Sequence, residues 1–321
     1  MPAFTATAPG KIILFGEHSV VYGQPAIAVP VTQVQVKATI HADVLGMTGS
    51  VHILAPEVNL DSHWDALDPM HPIASAIENV VRVLEVTHIP ACTLKLKSSI
   101  PIAGGLGSGA AVSVAVIRAL STFLGTPLDK EQINKIAYKI EKIHHGTPSG
   151  IDNTVITYAK PVYFVQQQPI ETLNIGKSFT IIIADTGIAS PTSLTVGDVK
   201  KSWDANPVHY ERLFSAVGSI TRTARGAIES GTPERLGPLM NENHELLNEM
   251  GVSSPELEYL VNAARKAGAL GAKLSGGGRG GNMIALVDAE EAERISQALQ
   301  KAGAVKTIIT EINSRDMELS S

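Results

Sequence analysis

The chain has 321 residues, 44% hydrophobic and 18% charged, which suits one large or two ordinary folded domains and excludes a disordered chain. A net charge of −5 argues against a nucleic-acid scaffold, and the single cysteine, Cys92, excludes a disulfide framework and a thiolate metal cluster and fits a reducing, cytoplasmic setting. The N-terminus, MPAFTATAPGK, lacks the basic-then-apolar pattern of a signal peptide, and no apolar run approaches the roughly 20 residues of a bilayer span, so a soluble protein with no membrane partner is expected.

Near the start, Lys11, Glu17 and His18 sit among Ile12, Ile13, Leu14, Phe15, Val20 and Val21. Polar side chains in such company need partners. A Lys11–Glu17 salt bridge beside a hydrogen-bonded His18, or a functional role, are both open from the residues alone. Val34, Val36, Ala38 and Ile40 alternate with polar residues as a half-buried strand does, and Leu94 and Leu96 repeat the pattern. Ile73, Ile77, Val80 and Leu84 recur at helical spacing; so do Ile133, Ile136, Ala137 and Ile140, behind an Asp129–Gln132 pair spaced as a capping box.

The run FTIIIA from Phe179 to Ala184 predicts a buried strand, followed by helices over about 207–229, 233–249 and 254–268. Lys273–Leu274 and Met283–Val287 read as strands, a helix follows near 289–302 and a strand near 305–311, and the polar tail SRDMELSS is expected to be loose. Strands and helices mix without strict alternation, which predicts an α+β fold with a domain boundary near 170–178.

Between Pro101 and Ala111 a β-like run enters a turn rich in glycine (Gly104, Gly105, Gly107, Gly109) and a helix-forming run leaves it. Glycines let backbone N–H groups turn inward, and a helix N-terminus adds unpaired donors and partial positive charge, so the segment suits a phosphate cradle. It is neither a Walker A loop, because no Gly-Lys-Ser/Thr follows, nor a Rossmann fingerprint, because the third glycine is misplaced. A tight strand-to-helix turn is the plain alternative. A second loop carries five glycines between Gly276 and Gly281, interrupted by Arg279. So many glycines cost backbone entropy, which favours close approach to a ligand or to the first loop over an idle hairpin.

Glu141 lies four residues after Ala137, on or beside the apolar helix face, and Asp152 lies beyond a break containing Pro148 and Gly150. Two carboxylates joined by a loop can converge on one site, one holding Mg²⁺ and the other handling a proton. His144 and His145 fit no standard zinc spacing.

Four segments in this order (PGKxxLxGEH near residue 11, PxxxGLGSxAA near 105, HGxPSGxDN near 150 and KLSGGGxGG near 275) resemble the GHMP kinases, over most of the chain. Within that superfamily the stretch GEHSVVYG, and Asp185-Thr186-Gly187 after FTIIIA, resemble the mevalonate kinase branch. The resemblance implies a two-domain fold: a ribosomal-protein-S5-like N-terminal domain over 1–174 and a ferredoxin-like α/β C-terminal domain over 175–321, with the active site in the cleft. It implies ATP and mevalonate as substrates, Mg²⁺ as cofactor, no nucleic-acid partner, and room for a homodimer.

Residue by residue, it implies Asp152 as the catalytic aspartate with Lys11 beside it, Glu141 on Mg²⁺, and Glu17 and His18 at the substrate along with Lys11 and Asp152. It places ATP against Ser98, Pro101, Gly104, Gly105, Leu106, Gly107, Ser108, Gly109 and Ala110, with Ser275, Gly276, Gly277 and Gly278 beside the phosphates. Relatives commonly read GLGSSAA, with the second serine on the metal. Here that position is Gly109, so water or Ser108 is expected to serve instead. Other GHMP-type activities on mevalonate-like substrates, including a decarboxylase, and a non-catalytic ligand sensor are the alternatives.

Overall fold

The computed structural model describes residues 3–101, 104–145, 148–169, 171–190 and 192–313, with the backbone alone at His144 and His145. The tail from residue 314 lies outside the described residues. The N-terminal part runs β1 (Ala3–Phe15), β2 (Ala26–Ala42), β3 (Val51–Ala55), β4 (Leu60–His63), α1 (Pro72–Val83), β5 (Cys92–Ser98), α2 (Ser108–Phe123), α3 (Lys130–His145), α4 (Ile151–Tyr158), β6 (Val162–Phe164) and β7 (Glu171–Thr172). These strands form one sheet of order β4-β3-β5-β2-β6-β7, with β1 also paired to β2. The C-terminal part runs β8 (Phe179–Asp185), α5 (Thr192–Ala205), α6 (Pro207–Glu229), α7 (Leu236–Glu249), α8 (Pro255–Lys266), β9 (Gly271–Ser275), β10 (Asn282–Val287), α9 (Ala292–Lys301) and β11 (Lys306–Ile312). Its antiparallel sheet has the order β11-β8-β10-β9. The chain thus passes from one sheet to the other between Thr172 and Phe179.

The periodicities named above become β2, β5, α1, α3, β8, α6, α7, α8, β10 and α9. The capping box is closed at both ends: the Gln132 amide donates to Asp129 Oδ1 (2.8 Å) and the Asp129 amide to Gln132 Oε1 (3.1 Å). Among the elements without a clear sequence signal, three bear on the site. Strand β1 is too uniformly apolar over Ile12–Phe15 to alternate. Helix α4 is only eight residues long and starts behind Pro148 and Gly150. Helix α5 buries only Thr195 and Val199, so it shows no apolar stripe.

The core explains how the two sheets hold together. One apolar cluster joins Ile12, Val29 and Val31 of the first sheet to α2 through Val114 and Ile117. The same cluster includes Ile181 and Ile183 of β8 and Ile284 and Leu286 of β10. Their alternate neighbours Ile182, Ala184, Met283 and Ala285 face a second cluster with α6, α7 and α8. Strict alternation along β8 and β10 therefore buries both faces of the second sheet, which is why FTIIIA is continuously apolar.

Candidate active site

The site begins with a break in the β1–β2 ladder. Pro9 pairs with Gln35 but Gly10 pairs with Val31, a bulge that releases the strand from regular pairing just before Lys11. The Lys11 amide instead donates to the Leu106 carbonyl (3.0 Å), tying β1 to the first glycine loop. The Lys11 ammonium lies 3.0 Å from Asp152 Oδ1, with side-chain exposures of 6% and 29%. The lysine is enclosed and the carboxylate keeps a face open to solvent. Of the two sequence readings, the Lys11–Glu17 salt bridge is overturned. The bulge aims Lys11 toward α4, while Glu17, past Gly16 at φ 97°, turns toward β9 and pairs with Lys273.

Asp152 stands in the first turn of α4, whose N-cap is Gly150 at φ 89°. Glu141, in the last turns of α3, feels both charges. Its carboxyl is pushed up to about 8 by burial first and by the Asp152 charge second, with Lys11 opposing. Two carboxylates against one lysine leave a site short of positive charge. Hard oxygen donors of this kind, completed by a nucleotide's phosphates, are what Mg²⁺ takes. No group of three or more His, Cys, Asp or Glu side chains forms a closed metal site among the described residues.

The first loop presses on this pair. Gly107 is the N-cap of α2 at φ 74°, with no side chain capping the helix. A Cβ there would stand 2.8 Å from Ile156 Cδ1 and 3.0 Å from Lys11 Cγ. Glycine is required on both counts: left-handed backbone, and a main chain laid directly on the lysine stem. The N-terminal amides of α2, with no capping side chain, begin directly beside Lys11, where an anion would suit them. Gly107→Ala should cut kcat on the order of tenfold to a hundredfold through misplacement of Lys11, read in steady-state kinetics beside a thermal melt. Unchanged kcat would show that the contact is dispensable.

Ser108 opens α2 and is half-buried; Gly109 is exposed, and a Cβ there would meet nothing within 4 Å. A serine at 109 would therefore fit without displacing anything, so its absence is not forced by packing. Ser98 does not reach the loop by any hydrogen bond among the described residues. Its hydroxyl accepts from the Ile100 amide (3.2 Å) and shapes the turn toward Pro101.

The second loop closes over the first. The Asn282 side-chain amide donates to the Gly104 carbonyl, and the Ser275 hydroxyl donates to Ile13 O (2.7 Å) on β1. Ser275 is thus a staple between lobes, with its hydroxyl proton already engaged. From the other side the segment before α5 grips the loop: Thr186 Oγ1 donates to Gly281 O (2.9 Å) and Ser190 Oγ to Gly278 O (2.7 Å). Arg279 is held by Asp198 of α5 at 2.7 Å. Asn282, Ser190 and Asp198 leave no trace in the sequence pattern, because their role depends on pairing across 80 residues or more.

Glu17 and His18, expected at the substrate, are both engaged by other parts of the chain. Glu17 is fully enclosed, and its Oε1 accepts from Lys273 Nζ. His18 is 6% exposed, and its Nε2 donates to Gly277 O (3.1 Å). Both sit in the seam between β1 and β9, with little surface exposed. Burial pushes the Glu17 carboxyl up and the Lys273 amine down, each toward its neutral form, and each is held charged chiefly by the other. Lys273 itself went unnoticed because a lysine in a short strand looks like a solvated position.

Burial also pushes His18 down to about 4 from 6.5. Between those values the unfolded chain binds a proton that the folded chain does not, so stability falls as pH drops from 6.5 toward 4, by up to about 3 kcal/mol. His18→Gln should flatten that part of the stability–pH profile in urea melts. An unaltered slope would assign it to other groups, such as the buried His244, which burial also pushes down.

With this geometry in place, comparisons with known proteins agree on one family. Residues 73–160 match the GHMP kinases N-terminal domain and residues 224–305 the GHMP kinases C-terminal domain. Mevalonate kinase of Pyrococcus furiosus is 36% identical, covering 98% of this chain and 97% of that one. Mevalonate kinase of Methanothermobacter thermautotrophicus is 33% identical, covering 88% and 89%. The structure of L. major mevalonate kinase in complex with R-mevalonate is similar with a TM-score of 0.82 at 31% identity, covering 97% and 96%. Methanococcus jannaschii mevalonate kinase gives 0.82 at 25% identity, covering 98% and 99%. A full-length match in sequence and fold, around a glycine-cradled lysine–aspartate pair, places the chain in the mevalonate kinase family of the GHMP kinases.

Proposed function

We propose that the protein transfers the γ-phosphoryl group of ATP to the primary hydroxyl of mevalonate, giving 5-phosphomevalonate and ADP, in the cytoplasm. The observation that carries this reading is the Lys11–Asp152 pair at 3.0 Å, lying directly under Gly107 at the uncapped start of α2. Phosphoryl transfer needs alignment and cancellation of charge more than covalent help from the protein. Amides of the stretch from Gly104 to Ala110 hold the triphosphate, and the second loop, through Gly276 and Gly277, closes beside it. Asp152, the partner with an open face, orients the hydroxyl and accepts its proton. Lys11, enclosed and pinned at its amide, offsets the charge that develops between acceptor oxygen and phosphorus.

Glu141 and Ser108 are the residues that would hold Mg²⁺, which when bound neutralises phosphate charge. Glu141→Gln should raise the Mg²⁺ concentration needed for half-maximal rate while sparing the protein's thermal stability. A wild-type metal titration would remove Glu141 from that role. Arg279 is engaged by Asp198, so the second loop offers no free guanidinium for a substrate already phosphorylated. An ADP-release assay with mevalonate, phosphomevalonate and galactose tests the substrate assignment. Turnover with mevalonate alone is expected, and turnover only with phosphomevalonate or galactose would overturn it.

A further inference from the structure

We infer that Lys273 is a positioning residue for phosphoryl transfer: through Glu17 it sets how the second glycine loop sits on the strand that carries Lys11. This rests on the kinase reading above. Three ties join residues 13–18 to residues 273–277: Ser275 Oγ to Ile13 O (2.7 Å), Lys273 Nζ to Glu17 Oε1, and His18 Nε2 to Gly277 O (3.1 Å). Ile13 is two residues from Lys11 on the same strand, so a shift of this seam moves the lysine relative to both loops.

The chemistry of the seam argues against simple glue. Lys273 is wholly enclosed, donating to Glu17 and to its neighbour's carbonyl, Leu274 O (2.7 Å). Apolar side chains of similar volume would hold two lobes together at least as well as a buried ion pair. What an ion pair adds is direction: it fixes one distance and one register where an apolar contact would slide. That register is demanding here. His18 has φ 58° and ψ −49°, a conformation that a side-chain-bearing residue keeps only when its surroundings over-determine it. The same strand is anchored from behind, where the Leu274 amide donates to His244 Nδ1 (3.2 Å) on α7. Lys273 therefore sits in the strand that ties α7 to the Gly16–His18 turn and runs on into the second loop.

The test compares single variants Glu17→Gln and Lys273→Met with the apolar double variant Glu17→Leu/Lys273→Leu in the full chain. The readouts are thermal midpoint, kcat, KM for ATP and for mevalonate, and amide hydrogen exchange of residues 276–281. The double variant is expected to melt near the wild type, yet lose on the order of 10²-fold in kcat with KM for ATP little changed, because a misplacement of about 1 Å is enough. Its 276–281 amides should exchange faster than those of the wild type. Wild-type kcat in a folded double variant would overturn the inference. So would a double variant that fails to fold, which would assign the pair to stability. If the wild-type protein does not turn over mevalonate, the substrate assignment fails by itself, and the exchange of 276–281 still decides whether Lys273 positions the loop.

Discussion

Asp152→Asn is expected to abolish nearly all turnover, a fall in kcat of roughly 10²- to 10⁴-fold as for loss of a positioned proton acceptor, while nucleotide binding persists. The expectation follows from where Asp152 sits. It belongs to α4, not to either glycine loop, and among the described residues its ion pair is with Lys11 at 3.0 Å. Asparagine has the same shape, so α4 and the loops keep their places, and only the acceptor and its charge are lost. Stopped-flow single turnover separates the arms: ATP-analogue binding at wild-type affinity with no ADP formed fits the assignment. Wild-type turnover would remove Asp152 from the chemistry.

Lys11→Met is expected to lower kcat by roughly 10²- to 10³-fold, the loss of one charged contact to the transition state. Methionine keeps an aliphatic stem under Gly107, where the lysine's Cγ and Cε now lie 3.0 and 3.3 Å from the position of a Cβ, so packing survives and the effect falls on the charge. Because Lys11 and Asp152 act as a unit, the double variant should be scarcely slower than Asp152→Asn alone. Losses that multiply in full would show that the two residues serve independent steps. Lys11→Arg should not rescue, since the enclosed site has no room for a planar fork.

How much of this was legible beforehand differed by element. The first loop could be read, because its glycines serve local geometry: a left-handed N-cap at Gly107 and a helix start with no capping side chain. Asp152 and Glu141 were legible as a converging pair, because a helix, a Pro–Gly break and a second carboxylate lie within 12 positions of each other. For Glu17 and His18 the need for partners was legible but not their identity, because a polar residue among apolar neighbours looks the same whether it meets a ligand or a partner 256 residues away. Lys273 and Asn282 were invisible for the same reason, since burial at the meeting of two sheets leaves no periodic trace. Helix α5 escaped because its inward face carries little besides Thr195 and Val199, while its Asp198 grips Arg279.

The measurement that bears most directly on the central claim is phosphorus NMR of a reaction containing the protein, ATP, Mg²⁺ and mevalonate. A phosphomonoester resonance coupled to a CH₂ group should grow in step with ADP for the wild type and stay absent for Asp152→Asn. ADP accompanied only by inorganic phosphate, or a phosphomonoester formed equally well by Asp152→Asn, would contradict direct transfer at the lysine–aspartate pair.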